Sequence, residues 1–131
     1  MVDRSRTSDV TPVAVARLER ALRSLDDDER AALLAAVWEA RGFAVSTEAG
    51  VVHARRAGAD PTRVAASPAV PGVDAGVDAV LVVGRERRRV PEGVRAIDAG
   101  GLRRLLLYAV DRERGTAVAR DHLGVPLLVA E

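Results

Sequence analysis

The sequence contains no lysine and no cysteine, and its only large rings are Trp38, Phe43 and Tyr108. Each absence closes off a class of chemistry. Without cysteine there is no disulfide, no thiolate nucleophile and no Cys-ligated zinc. Without lysine there is no Schiff base, no Walker-type phosphate lysine and no lysine-dependent nuclease motif. So few rings do not make a base-stacking platform for single-stranded nucleic acid. The two histidines, His53 and His122, are too far apart in the chain to form a metal-spaced pair. No run reaches the ~20 apolar residues of a membrane span, and the opening "MVDRSRTSDVTP" lacks an apolar signal core. The expectation is a cytoplasmic protein with no membrane partner and no cofactor.

What is present fits a globular chain. Hydrophobic residues make up 48% of the 131 and charged residues 30%, a mass and balance suited to one domain with one core. That core must be aliphatic, built from Leu, Val and Ala. The formal net charge is +1, so no global field draws the chain to polyanions. All 20 basic residues are arginine, however, and they cluster.

Hydrophobic spacing predicts the elements. "TPVAVARLERALRSL" reads as a helix with Thr11 as N-cap and Pro12 at the first helical position. Val15, Leu18, Leu22 and Leu25 supply its apolar spacing. A second helix follows, with Asp26, Asp27 and Asp28 at its positive end and Leu33, Leu34, Val37, Trp38 and Arg41 along it. Gly42 is placed to end it with positive φ. The period then shortens. "FAVST", "VVHARR" and "TRVAA" read as three strands joined by the turns "EAG" and "AGADP". "SPAVPGVDAG" is a loop by its prolines and glycines, and "VDAVLVVG" is a continuous apolar strand of the kind covered on both faces. "RERRRVPEG" is a charged loop and "VRAID" a short strand. Asp98 is placed to cap a helix whose apolar face is Leu102, Leu105, Leu106 and Ala109. Asp111 is placed to cap a last helix ending at Gly124, with Gly115 inside it costing roughly 1 kcal/mol relative to alanine. The expected domain plan is a flexible segment 1–10, a single domain 11–124 and an apolar C-terminal tail 125–131. The order predicts an α/β fold, a mixed sheet of a three-stranded meander plus two further strands, flanked by helices in two or three layers.

On these residues a family resemblance appears. "LERALRSLDDDERAALLAAVWEARGFAV" resembles the opening helix of Mrr-type restriction-endonuclease-like domains, especially small haloarchaeal ones. There a Trp-Glu-x-Arg-Gly-aromatic phrase leads into the first strand, and Trp38, Glu39, Arg41, Gly42 and Phe43 match it. "VDAVLVVG…VRAIDAGGLRRLLLYAVDRE" is similar to the family's back half, and the resemblance spans roughly residues 18–123. It implies a restriction-endonuclease-like fold. In such nucleases an aspartate on the second strand and an acid-x-lysine pair on the third hold a divalent metal, whose chemistry is to activate water and stabilise phosphate charge. Here the aspartate position falls at Val52 or His53, and the acid-x-lysine across Val64 to Ser67. None of these is an acid or a lysine. The helical glutamate of active relatives falls near Ala31, and the Pro/Gly loop replaces a helix. The resemblance therefore implies a catalytically degenerate domain, with no catalytic and no metal residues.

The remaining candidates are cationic. Arg55, Arg56 and Arg63 lie on adjacent predicted strands and can meet phosphates; solvated strand charges are the simpler reading. Arg85, Arg87, Arg88 and Arg89 form the densest basic cluster, in the loop after the central strand, with Glu86 as an internal counter-charge. His53 is a weaker candidate, as ligand or base. Asp60, Asp74 and Asp78 can in principle ligate a metal, although turn chemistry explains Asp60 and Asp74 more simply. Trp38 and Phe43 are expected in the core. The leading expectation is a DNA-associated degenerate domain using its arginine-rich edges. The competing one is a protein-interaction or regulatory module, with a protein partner or a second copy. The weakest is an active metal-dependent nuclease with relocated acids.

Overall fold

The computed structural model describes residues 10–130. Most of the expected flexible segment, residues 1–9, lies outside the described residues. The chain runs β1 (Val10–Pro12), α1 (Val15–Arg23), α2 (Asp27–Ala40), β2 (Ala44–Glu48), β3 (Val51–Arg55), β4 (Thr62–Ala65), β5 (Ala79–Leu81), β6 (Arg95–Ile97), α3 (Ala99–Arg104), α4 (Arg112–Val118) and β7 (Leu128–Ala130). It is an α/β fold. A five-stranded mixed sheet has the order β2-β3-β4-β5-β6, with β2-β3-β4 antiparallel and β4-β5-β6 parallel. The expected meander and the two further strands are all present. Only Ala79–Leu81 of the long apolar run makes the ladder, but Val77 and Val80 to Val83 are buried with it.

Local chemistry explains the helix ends. Asp26 accepts from the Glu29 N–H at 2.8 Å while Glu29 Oε1 accepts from the Asp26 N–H at 2.9 Å, a reciprocal cap for α2. Asp98 accepts from the Gly101 N–H and Asp111 from the Arg114 N–H, both at 2.8 Å, so both expected caps are in place. Gly42 (φ +95°) and Gly124 (φ +67°) stop their helices in the left-handed region.

The chain start differs from expectation. Thr11 is not a helix cap and Pro12 is not in a helix. Both belong to β1, which pairs antiparallel with β7, Thr11 opposite Val129 and Pro12 opposite Leu128. The Val13 N–H donates to the Leu127 carbonyl at 2.8 Å, and Arg103 Nη1 donates to the Val13 carbonyl at 3.1 Å. Helix α1 begins after Ala14 with no side-chain cap. The local Thr-Pro signal is outweighed by this non-local pairing, in which Pro12 lies on a short ribbon that tolerates its missing N–H. The apolar tail thus docks on its own chain, with Leu127 only 1% exposed.

One side of the sheet is buried along most of its length, and β5 is buried on both. Val52, Ala54, Val64, Leu81 and Ile97 point to one side and are 0–3% exposed. The helices close that side: α2 packs on β2 and β3, α3 beside β6, and α4 against α2. Helix α2 is enclosed by sheet on one side and α4 on the other, so Leu33, Leu34 and Val37 are 0% exposed. Each such side chain stabilises the fold by roughly 1.5–3 kcal/mol. The opposite side of the sheet carries His53, Arg55 and Arg63 in the open, but Val51 is covered. The Pro/Gly loop there crosses close enough that a Cβ on Gly72 would meet Val51 Cγ2 at 2.8 Å.

Helices α3 and α4 each widen into a π turn, at Leu105–Ala109 and Ala119–Leu123. Widening rotates the expected apolar face of α3: Leu102 and Leu106 are buried, Leu105 is half-buried, and Ala109 is exposed rather than core-facing. It also brings the Leu106 carbonyl against α4. A Cβ on Gly115 would sit 2.3 Å from that oxygen and 3.2 Å from both Leu127 Cδ2 and Val110 Cγ2. The glycine that weakens the helix locally is required by this crossing. Gly115→Ala is expected to destabilise the protein by about 1–3 kcal/mol despite alanine's better helix propensity, measured by urea unfolding. A neutral or stabilising result would show that the two helices do not cross this closely.

Candidate anion-binding surface

Strand direction sorts the arginines into two groups. The start of β2, the end of β3 and the starts of β4, β5 and β6 all lie at one end of the sheet. Arg55 ends β3, opposite Ala44 on β2. Arg63 lies on β4, opposite His53, and His53 lies opposite Ser46. Arg55, Arg63 and His53 therefore share the open side. Arg55 and Arg63 are exposed, and His53 is half-buried. Arg95 begins β6 opposite Ala79, so it shares the helix side of the same end. Arg41 ends α2 just before β2.

Two aromatic rings organise this end. The Arg41 guanidinium lies 5.2 Å from the Trp38 ring centroid and 5.3 Å from that of Phe43, and Arg56 lies 4.6 Å from the Phe43 centroid. These are cation–π distances. Trp38 is in the core as expected, whereas Phe43 is half-buried and acts as a shelf for cations. The Arg41 guanidinium is held below its ordinary value, first by burial and then by the positive charges of Arg56 and Arg95. Among the described residues none of Arg41, Arg55, Arg56, Arg63 and Arg95 has an ion-pair partner. Asp78 is nearby, but its Oδ2 accepts from the Arg63 backbone N–H at 2.8 Å. Its own N–H donates to the Arg63 carbonyl, and its carbonyl accepts from the Arg95 N–H, so it ties β4 to β6. Asp60 and Asp74 lie exposed in turns. No three of His, Asp and Glu gather among the described residues.

The Arg85–Arg89 cluster is elsewhere. Five residues, three of them in β5, separate Asp78 from Gly84, and an extended span of that length places the cluster about 20 Å away, at the other end of the sheet. It is not an irregular loop but a short 3₁₀ helix, Gly84–Arg89. Arg87 is paired with Asp98, which also caps α3. Arg85, Arg88 and Arg89 are exposed. Glu86 does not serve mainly as counter-charge to its neighbours. Its Oε1 accepts from Arg30 Nη1 at 3.0 Å and from the Val83 N–H at 2.9 Å. Arg30 is 5% exposed, in the first turns of α2, and its Nε has no partner among the described residues.

The positions where the resemblance would place metal ligands are built otherwise. Val52 and Val64 face each other across β3 and β4 at 0% exposure. Ala65, Ala66 and Ser67 are buried, with Ser67 Oγ accepting from the Ala69 N–H. Packed alkyl groups occupy this part of the sheet. Compared with models of known protein families, with curated proteins and with solved structures, the chain matches none.

Sequence reasoning singled out Arg55, Arg56 and Arg63, and the fold brings these to one sheet end. It missed Arg41, which the helical spacing assigned to the helix, and Arg95, which stands alone in "VRAID". The signal that could have found Arg95 is strand direction: parallel β5 and β6 must start at the same end. The Arg30–Glu86 contact gives a test of the opposite end. Glu86→Gln is expected to cost about 2 kcal/mol in chemical unfolding, at the low end for a buried pair because Glu86 is 31% exposed. Arg30→Met should cost less, since it removes the buried charge rather than stranding it. Equal destabilisation of the two variants would show that charge burial is not what makes Glu86 necessary.

Proposed function

We propose that the chain is a catalytically degenerate restriction-endonuclease-like domain of the Mrr type that binds duplex DNA through the arginines at one end of its sheet. One observation carries the DNA part: Arg41, Arg55, Arg56, Arg63 and Arg95 arrive at that end from three strands and a helix terminus, without ion pairs among the described residues. Unpaired arginines gathered at one end suit the regularly spaced charges of a phosphate backbone, whose counterions they displace. Exposed Arg55 and Arg63 provide the broad contact. The degenerate part is supported by valines and alanines at the positions where carboxylates and a lysine would be required. The helix, meander and parallel-strand order are compatible with the family's architecture.

The reading predicts contacts that position the protein without reading sequence. Affinity for a short duplex should fall steeply as salt rises. An Arg55→Gln, Arg63→Gln double variant should bind roughly tenfold more weakly, with the log–log salt slope flatter by about 0.9 for each phosphate no longer neutralised. Substituting Arg85, Arg88 and Arg89 with glutamine should leave affinity within about twofold, because that helix lies at the far end. No binding at low salt would sink the DNA reading. Plasmid nicking dependent on Mg²⁺ or Mn²⁺ would overturn the degenerate one.

A second reading has its own observation. Strand β6 is a sheet edge, and Tyr108, 81% exposed, stands beside a groove formed with Ala96, Leu105 and Ala109. A strand edge with no neighbour among the described residues, next to an exposed ring, favours a protein partner. Under that reading Tyr108→Ala would abolish partner capture while DNA affinity stayed absent throughout.

A further inference from the structure

At the arginine-rich end of the sheet a notch of about 360 Å³ opens between the end of α2 and the starts of β4, β5 and β6. Trp38, Arg41, Phe43 and Arg95 form one part of its wall, and Asp60 and Asp78 another. Arg56 stacks on the Phe43 wall. Because Arg41 and Arg56 lie over the same ring, their guanidiniums are within about 10 Å of one another, close enough to repel. The stacking on Trp38 and Phe43 holds them there, so the cations are oriented before any ligand arrives. Of the acceptors nearby, all but the Asp60 carboxylate are already engaged. The last carbonyls of α2, on Val37, Trp38 and Glu39, accept from the N–H groups of Arg41, Gly42 and Phe43. The Asp78 carboxylate accepts from the Arg63 N–H, and Asp60 is exposed in its turn. The result is a concave site walled by Arg41 and Arg95, with Arg56 on the Phe43 ring, and none of the three has a carboxylate within ion-pair distance among the described residues.

We propose that this notch is an oxyanion site that takes a phosphate monoester, held by Arg41 and Arg95 with Arg56 closing over it. A monoester carries a charge of about −1.5 to −2 and three terminal oxygens, enough for three planar donor groups. A carboxylate offers one charge and two oxygens, and would leave one guanidinium unmatched. The lowered proton affinity of Arg41 fits the same picture, since a bound dianion relieves the repulsion that contributes to it. The site rests on the DNA reading only for the carrier of the phosphate, which is either the end of a nucleic acid strand or a small phosphorylated molecule.

The test titrates inorganic phosphate into the intact chain at ionic strength held constant with chloride, following heat of binding and the unfolding midpoint. Saturable binding is expected, with a rise in Tm, and Arg41→Gln and Arg95→Gln are each expected to weaken it about tenfold. Arg20→Gln, on an exposed face of α1, should leave it unchanged. Arg41→Gln also removes packing on two rings; if it fails to fold, Arg95→Gln and Arg56→Gln carry the test, because both side chains are exposed. A response equal to that of chloride, or full affinity in Arg95→Gln and Arg56→Gln, overturns the site. Paired duplexes with a 5′-phosphate or a 5′-hydroxyl identify the carrier. Several-fold tighter binding of the phosphorylated duplex, abolished in Arg95→Gln, assigns the strand end; equal binding beside saturable phosphate assigns the small molecule. A 5′-hydroxyl duplex that does not bind at low salt fails the DNA reading alone, while the phosphate titration still decides the notch.

Discussion

The enclosure of helix α2 is the constraint on which the other features depend. Sheet covers one side and the C-terminal helix the other, so the helix needs apolar residues around much of its circumference. Its one buried charge, Arg30, lies near the start, where only an incoming acid can match it. Glu86 provides that acid and also satisfies the Val83 backbone, which fixes the 3₁₀ helix after β5 against α2. At the other end, the same enclosure leaves Trp38 buried and Phe43 half-exposed, so Arg41 and Arg56 stack on rings rather than extend into solvent. The same packing thus engages Arg30 at one end of the molecule and seats Arg41 and Arg56 on rings at the other.

That segregation is why the net charge of +1 says little about binding. Arg30 and Arg87 are matched by Glu86 and Asp98, while Arg41, Arg55, Arg56, Arg63 and Arg95 find no carboxylate partner among the described residues. Long-range steering is governed by the total, but local affinity for an oxyanion is governed by which cations are left unpaired and how closely they are held. The densest run in sequence, Arg85 to Arg89, is partly consumed by internal contacts, and the sparse ones in sequence are assembled by the fold.

The hairpin Val51–Ala65 shows the same logic in the other direction. Its alternation puts Val52, Ala54 and Val64 into the core and His53, Arg55 and Arg63 into the open. A carboxylate at Val52 or Val64 would have to be buried against leucines and would need a metal or a cation to offset its desolvation. With alkyl groups there, the space is filled by packing. The Pro/Gly loop lies over Val51 on the other side, leaving only the arginine-bearing end of the hairpin uncovered.

Much of the local structure was determined by the sequence alone. The caps at Asp26, Asp98 and Asp111, the stops at Gly42 and Gly124 and the meander each follow from short-range chemistry. The candidate surface was legible only in part, as Arg55, Arg56 and Arg63. What the tertiary structure decided involves partners far apart in the chain: β1 with β7 against a local Thr-Pro helix signal, Glu86 with Arg30, and Gly115 beneath the Leu106 carbonyl. It also decided that Arg41 and Arg95 join the surface and that the Arg85–Arg89 run does not. The physical reason is that periodicity reports which side of an element is buried, whereas the meeting of two charges depends on which ends of the strands the topology brings together.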